Sequence, residues 1–130
     1  MGNSQRVIGF YDVPMWKSID EEAWAIQQCD NCQEHRYPPA PICQNCLSFD
    51  ATWRTLKGTG TVVSTCVFHK KYFDDHVPPY TCAAVRLDEG PIVVVNLVDP
   101  TPEDGAIDKR VEILYERHEQ GMLPKVRFSA

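Results

Sequence analysis

Long apolar runs are missing from this chain of 130 residues, and none approaches the roughly 20 residues a helix needs to cross a bilayer. Positive charge is scarce as well: 13 Lys and Arg stand against 18 Asp and Glu, a formal net charge of −5. That balance argues against a generic binder of phosphate backbones, which presents a basic face, although it leaves room for a local basic groove. Common catalytic motifs are absent too. There is no Gly-x-Ser-x-Gly nucleophile turn and no Gly-x4-Gly-Lys-Ser/Thr phosphate loop. The histidines His35, His69, His76 and His118 are scattered, without the spacing of a metal triad. Asp74, Asp75 and His76 could form an acid/base group, but neighbours on an extended chain point in opposite directions, so only a bent loop would make them converge. Catalysis by this chain on its own is therefore not expected. Met1 to Arg6 lacks the apolar stretch of a secretory signal, which predicts a cytoplasmic setting with reduced thiols.

What the chain does have is four cysteines in two pairs, Cys29-Asp-Asn-Cys32 and Cys43-Gln-Asn-Cys46, with ten residues between the pairs. Two Cys-x2-Cys turns at that distance can bring four thiolates to the corners of a tetrahedron around one Zn²⁺, at about 2.3 Å. Four sulfurs leave no position for water or substrate, so the ion holds structure. Two disulfides would require an oxidising compartment, and a thioredoxin-like use of one pair would leave the other unexplained. Iron remains possible, since four thiolates bind both metals. His35 lies near the site but is not needed as a ligand. Tyr37-Pro38-Pro39-Ala40-Pro41 stiffens the connection between the pairs, because each proline fixes its φ. Cys66 and Cys82 fall in apolar, strand-like runs and read as buried, inert thiols.

At this length and 43 % hydrophobic content, the chain suits one compact unit or two small modules packed together. The expected organisation is mainly β: an N-terminal helical arm over 1–22, a rubredoxin-like zinc ribbon over 23–57 and a five-stranded barrel over 58–130. In the arm, Trp16, Ile19 and Ala23 recur at three and four residues, which predicts a short amphipathic helix from Val13 to Trp24 with Pro14 in its first turn. Trp16 and Trp24 either pack on the ribbon or contact a partner. Ribbon strands are expected at Ala23–Gln28 and Phe49–Leu56, then a hinge at Lys57-Gly58-Thr59-Gly60. Runs rich in β-branched residues follow at 61–68, 80–87, 91–98, 110–115 and 123–128, with Asp88-Glu89-Gly90 as a hairpin turn. Five short antiparallel strands fit a Greek-key barrel of the oligomer-binding, or OB, type. The insertion His69 to Pro79 is longer than a hairpin needs and reads as a binding loop.

In this order the motifs resemble the family of zinc-ribbon/OB-fold acyl-CoA-associated proteins, long catalogued only as a domain of unknown function. The matching pieces begin with Met15-Trp16, the Cys29-x2-Cys32 knuckle, and Tyr37-Pro38-Pro39 before Cys43-x2-Cys46. They continue with Gly58-Thr59-Gly60-Thr61-Val62-Val63-Ser64 and Val77-Pro78-Pro79-Tyr80, and end with Leu87-Asp88-Glu89-Gly90-Pro91 and Leu123-Pro124-Lys125-Val126-Arg127. A glycine often follows the second cysteine of each knuckle in that family. Gln33 and Leu47 stand there in this chain, which leaves the ligands intact and bears only on the tightness of the turns.

The resemblance implies a non-catalytic accessory subunit of a thiolase-fold acyl-CoA enzyme, a thiolase, acyltransferase or retro-aldolase. The partner would supply the chemistry, and a coenzyme A thioester would be a shared ligand. For that ligand the candidate residues, by residue type and loop position, are His69, with Lys70 and Lys71 at the phosphates, Tyr72, Phe73 and Tyr80 along the pantetheine arm or adenine, and Lys125 and Arg127 as a second basic pair. The competing account pairs the two loop lysines with Asp74 and Asp75, or with the partner. A nucleic-acid-binding ribbon/OB module and a stand-alone acyl-CoA hydratase or thioesterase are the alternatives.

Overall fold

The computed structural model describes residues 6–129; the first five residues of the expected arm, and Ala130, lie outside it. Pro14 occupies the first turn of α1 (Val13–Asp20), where a missing N–H costs no helical hydrogen bond. Met15 and Ile19, one turn apart, are buried on the same face. The helix stops short of the expected Trp24. Glu22 adopts a φ of 57°, and its N–H is bonded to the Ile19 carbonyl at 2.9 Å, so the chain turns back before another helical turn can form. That reversal delivers Trp24 to the core, where it is 2 % exposed, edge-on to Tyr37 at 6.0 Å, with its backbone N–H donating to the Tyr115 hydroxyl. Of the two expectations for Trp24, packing on its own protein describes it; no face is left for a partner. Trp16 is only half-buried.

The ribbon is a three-stranded sheet with β1 (Ala25–Cys29) in the middle, β3 (Ala51–Thr55) on one side and β2 (His35–Arg36) on the other. β2 has no signature in the sequence, since two residues carry no periodicity. The expected hinge shortens to Lys57 and Gly58, because the next strand already begins at Thr59.

β4 (Thr59–Phe68), β5 (Tyr80–Leu87), β6 (Ile92–Leu97), β7 (Arg110–His118) and β8 (Gly121–Phe128) close a barrel in the order β4-β5-β6-β8-β7, with β7 returning to β4. One pairing departs from the expected all-antiparallel sheet: β6 and β8 run parallel, with Asn96 opposite Lys125. Strands that alternate in direction cannot close a ring of five, so one parallel seam is unavoidable. Val62, Val85, Leu87, Val93, Val111 and Val126 fill the interior. Gly60 is required where β4 crosses β5, because a Cβ there would sit 2.6 Å from the Arg86 carbonyl oxygen.

A bulge between Val62 and Ser64 shifts the alternation of β4 by one residue. Val62 points inward, opposite Val85; beyond the bulge, Ser64 and Cys66 lie opposite Ala84 and Cys82, whose neighbours Ala83 and Val85 are the inward residues. Cys66 is thereby exposed, which corrects the expectation of a buried thiol; Cys82 is half-buried.

At the ribbon–barrel junction, Asp88 receives two guanidinium hydrogen bonds from Arg110, at 2.7 and 2.8 Å, and the Thr59 hydroxyl. Arg110, followed by Thr59, holds the Asp88 carboxyl well below the usual carboxylate range.

Candidate functional site

The four knuckle sulfurs gather at the ribbon tip, all within 4.8 Å of one another. Cys29 Sγ lies 3.5 Å from Cys46 Sγ, and Cys32 Sγ 3.5 Å from Cys43 Sγ. A tetrahedron of sulfurs about 2.3 Å from a zinc ion has edges of about 3.8 Å, so the arrangement fits the ion closely. Each knuckle is a turn closed by a backbone hydrogen bond: Gln33 N–H to the Cys29 carbonyl and Leu47 N–H to the Cys43 carbonyl, both at 3.0 Å. Gln33 and Leu47 adopt φ of 67° and 64°, the left-handed region usually left to glycine. The turns are therefore as tight as glycine would make them, at a conformational cost.

The electrostatics call for a cation. The Cys32 backbone N–H, with help from that of Asn31, holds the Cys29 thiol down to about 6, and the Cys46 backbone N–H lowers Cys43 likewise. Cys32 is pushed up to about 11: the Asn45 side chain and the Glu34 backbone pull it down, but burial and the sulfurs of Cys43 and Cys46 outweigh them. Four neighbouring sulfurs resist becoming thiolates together unless a dication sits among them. Among the described residues, no other group of three or more His, Cys, Asp and Glu side chains converges in this way.

A second feature is a cavity of about 480 Å³ on the outer face of the barrel. Its floor is the β5–β6–β8 face, with Tyr80, Cys82, Asn96 and Leu123. Its walls come from three separate segments: Trp16 of the arm, Phe73 and His76 of the long loop, and His118 with Gln120 at the β7–β8 turn. In an OB barrel, the face of the second and third strands, flanked by the first and last inter-strand loops, is where ligands bind. The Arg6 guanidinium lies 4.5 Å from the centre of the Trp16 ring and bonds to Asp20 at 2.6 Å; Asp20 also accepts from the Met122 N–H at 3.0 Å, which ties the arm to β8 beside this opening.

The polar end of the cavity is a cluster that sequence spacing did not reveal. Asp75 reaches His76 Nδ1 at 3.1 Å with one oxygen and His118 Nδ1 at 3.4 Å with the other. The two imidazoles stack at 5.8 Å between centroids. Facing one carboxylate, both Nδ1 atoms act as donors, and Nε2 is the remaining polar atom of each ring. Glu116 Oε1 is 3.3 Å from His118 Nε2, but off the direction of a hydrogen bond. The loop bends in the way that convergence of Asp75 and His76 required, while Asp74 turns away to pair with Lys71 at 3.5 Å. His118 enters from a distant strand, so only knowing that the first and last barrel loops adjoin could have found it.

The residues nominated for coenzyme A do not form one group. Phe73 and Tyr80 line the cavity, and Tyr80 stacks on Phe68 at 5.2 Å. Tyr72 lies edge-on to Phe68, outside the cavity lining, with the Lys70 ammonium 5.5 Å from the centre of its ring. His69 is exposed. Lys125 and Arg127 are ion-paired with Glu116 at 3.0 Å and Glu112 at 2.7 Å, so they do not make an open basic pair. No helix among the described residues is long and apolar enough to cross a membrane.

Comparison with known proteins agrees with this layout. Residues 16–51 match the family model of the ChsH2 rubredoxin-like zinc ribbon domain, and residues 53–116 that of the ChsH2 C-terminal OB-fold domain. A DUF35 domain-containing scaffold protein of Methanocaldococcus jannaschii is 32 % identical over 111 residues, covering 81 % of this chain and 77 % of the relative. Another from Pyrococcus furiosus is 33 % identical over 101 residues, covering 76 % and 74 %. Among solved structures, a chain of the Ltp2-ChsH2(DUF35) aldolase superposes with a TM-score of 0.88 at 30 % identity, covering 97 % of this chain and 100 % of that one. The ribbon with its sulfur cluster, the closed five-stranded barrel and these matches together make the chain a member of the DUF35 family.

Proposed function

We propose that the chain is an accessory subunit of an acyl-CoA-processing complex in which a thiolase-fold partner, an aldolase or a thiolase, performs the carbon–carbon chemistry. The observation that carries this reading is the match, over nearly all of both chains, to a component of the Ltp2-ChsH2(DUF35) aldolase. In this role the zinc ribbon is scaffold, and the cavity takes the pantetheine arm or the acyl chain of the thioester. The cavity's size and largely apolar walls suit such a ligand, with His76, oriented by Asp75, as its polar contact. The exposed Lys70 and Lys71 stand on the same loop for the phosphates. Phe10 is 89 % exposed and Val13 projects from the same arm, an apolar surface suited to a protein neighbour. The ion pairs that occupy Lys125 and Arg127 weigh against the nucleic-acid alternative, which needs free cations beside its stacking aromatics.

The test is co-expression of this chain with a thiolase-fold protein from the same genome, followed by affinity capture and calorimetry with acetoacetyl-coenzyme A. A stable complex is expected, with acyl-CoA affinity falling roughly tenfold when Phe73 and Tyr80 are both changed to alanine. If the two proteins purify apart and the partner is fully active alone, the accessory role is wrong. If the complex forms but binding ignores Phe73, Tyr80, Lys70 and Lys71, the cavity is not the acyl-CoA site.

A further inference from the structure

Cys66 and Cys82 take no part in the metal centre, and their arrangement has a chemistry of its own. They are direct partners in the antiparallel β4–β5 register and project from the same outer face of the barrel. Opposed residues in such a ladder hold their Cα atoms about 4.5–5.5 Å apart. A disulfide spans about 4.4–6.8 Å between Cα atoms. The two thiols also sense each other: burial first, and then the Cys66 sulfur, push the Cys82 thiol up. Their access differs. Cys66 is open to solvent, whereas Cys82 forms part of the cavity wall, with Asn96 Nδ2 3.6 Å from its sulfur.

We propose that Cys66 and Cys82 are a dithiol oxidation site that closes to a cross-strand disulfide when a hydroperoxide reaches the exposed Cys66. The Cys66 thiolate attacks the peroxide; the O–O bond breaks, water or an alcohol leaves, and the sulfur becomes a sulfenic acid. Cys82 then gives up its proton and attacks the Cys66 sulfur; the S–S bond forms, the S–O bond breaks, and the departing hydroxide takes a proton to leave as water. With hydrogen peroxide, two thiols and one peroxide yield one disulfide and two waters, the sulfurs supplying the two electrons. The difference in exposure sets the roles, Cys66 as the attacking sulfur and Cys82 as the resolving one. A bridge with one exposed sulfur belongs to the readily reduced class, so the modification is reversible. Closing it draws the Cys82 sulfur toward β4 and away from Asn96, which changes one wall of the cavity. This inference does not depend on the acyl-CoA reading above.

The experiment uses the zinc-loaded full chain, treated with a small excess of hydrogen peroxide, alkylated, digested and mapped by mass spectrometry. A linked Cys66–Cys82 peptide is expected as the main oxidised product, with zinc content unchanged and the link removed by dithiothreitol. Cys82→Ser should accumulate a dimedone-reactive sulfenic acid at Cys66. Cys66→Ser should slow oxidation at Cys82 roughly tenfold or more. The proposal is overturned if Cys66 in the unaltered chain advances to sulfinic acid without any link to Cys82. It also fails if disulfides arise only among the zinc cysteines as metal is lost.

Discussion

Val62, Val85, Val93, Val111 and Val126 are all but sealed inside the barrel. The ribbon has no comparable interior. Its buried apolar residues Trp24, Ile26 and Leu56 join the core shared with the barrel and the helix. At its far end Leu47 and Phe49 stand in solvent, and what lies inside is sulfur. One half of the molecule is thus held by apolar area removed from water. The tip of the other is held by bonds to one ion. A region too small to bury a core can still be specific in shape if a few strong ligands replace it.

The largest effect that would break this contrast is removal of the metal. Chelation should forfeit a binding free energy on the order of 10–16 kcal/mol that folds the knuckles, and Cys43→Ser a part of it. Hydrogen exchange should show the ribbon tip losing protection while β5 and β6 keep theirs. Equal loss in both would mean that the halves are not separable. Leu87→Ala strikes the other half and should cost about 2–5 kcal/mol in urea unfolding, with zinc still bound under native conditions. Gly60→Ala should cost about 1–3 kcal/mol by the same measurement, since its Cβ would press on the β5 backbone.

Smaller changes sharpen the comparison. Leu47→Gly should stabilise the ribbon by about 1 kcal/mol, because the left-handed turn is strained for leucine and its exposed side chain contributes no packing. The readout is slower transfer of zinc to a chelator. Gln33→Gly should gain less, since the Gln33 side chain donates to the Asp30 carbonyl. An effect of similar small size concerns acid. The folded state depresses the Asp88 carboxyl, chiefly through Arg110, so the stability it adds is complete above the ordinary aspartate range near pH 4. That contribution is lost as the pH falls through the depressed folded value. Asp88→Asn should flatten that part of the acid-denaturation curve, by on the order of 1 kcal/mol after allowance for solvent screening.

Legibility in sequence followed the same division. Ligand spacing announced the metal centre, since four sulfurs at fixed intervals admit few other uses. The barrel strands were legible from runs of β-branched residues, and β5 has the expected bounds, Tyr80–Leu87. What escaped had physical causes. The bulge at Val62 and Ser64 adds one residue to the alternation, so Cys66 lies outside although it stands in an apolar run. The parallel β6–β8 seam follows from closing an odd number of strands, a property of the ring and not of any segment. Sequence left Trp24 open between packing and a partner because the turn at Glu22, made without glycine, carries no signature. The joining of Asp75 and His76 with His118 depends on a long-range meeting of loops, which residue spacing does not record.

The cavity owes its walls to pieces far apart along the chain, with the arm tied to the barrel through Asp20 on the Met122 N–H and the Arg6 N–H on Gln120. A shortened protein starting beyond position 16 would keep the four zinc ligands and every barrel strand in its sequence, but would lose Met15 from the shared core along with Trp16. The cavity would lose Arg6, Val7 and Trp16 from its lining at the same time. Trimming the front end for convenience would thus alter the feature most worth assaying while leaving the zinc ligands untouched.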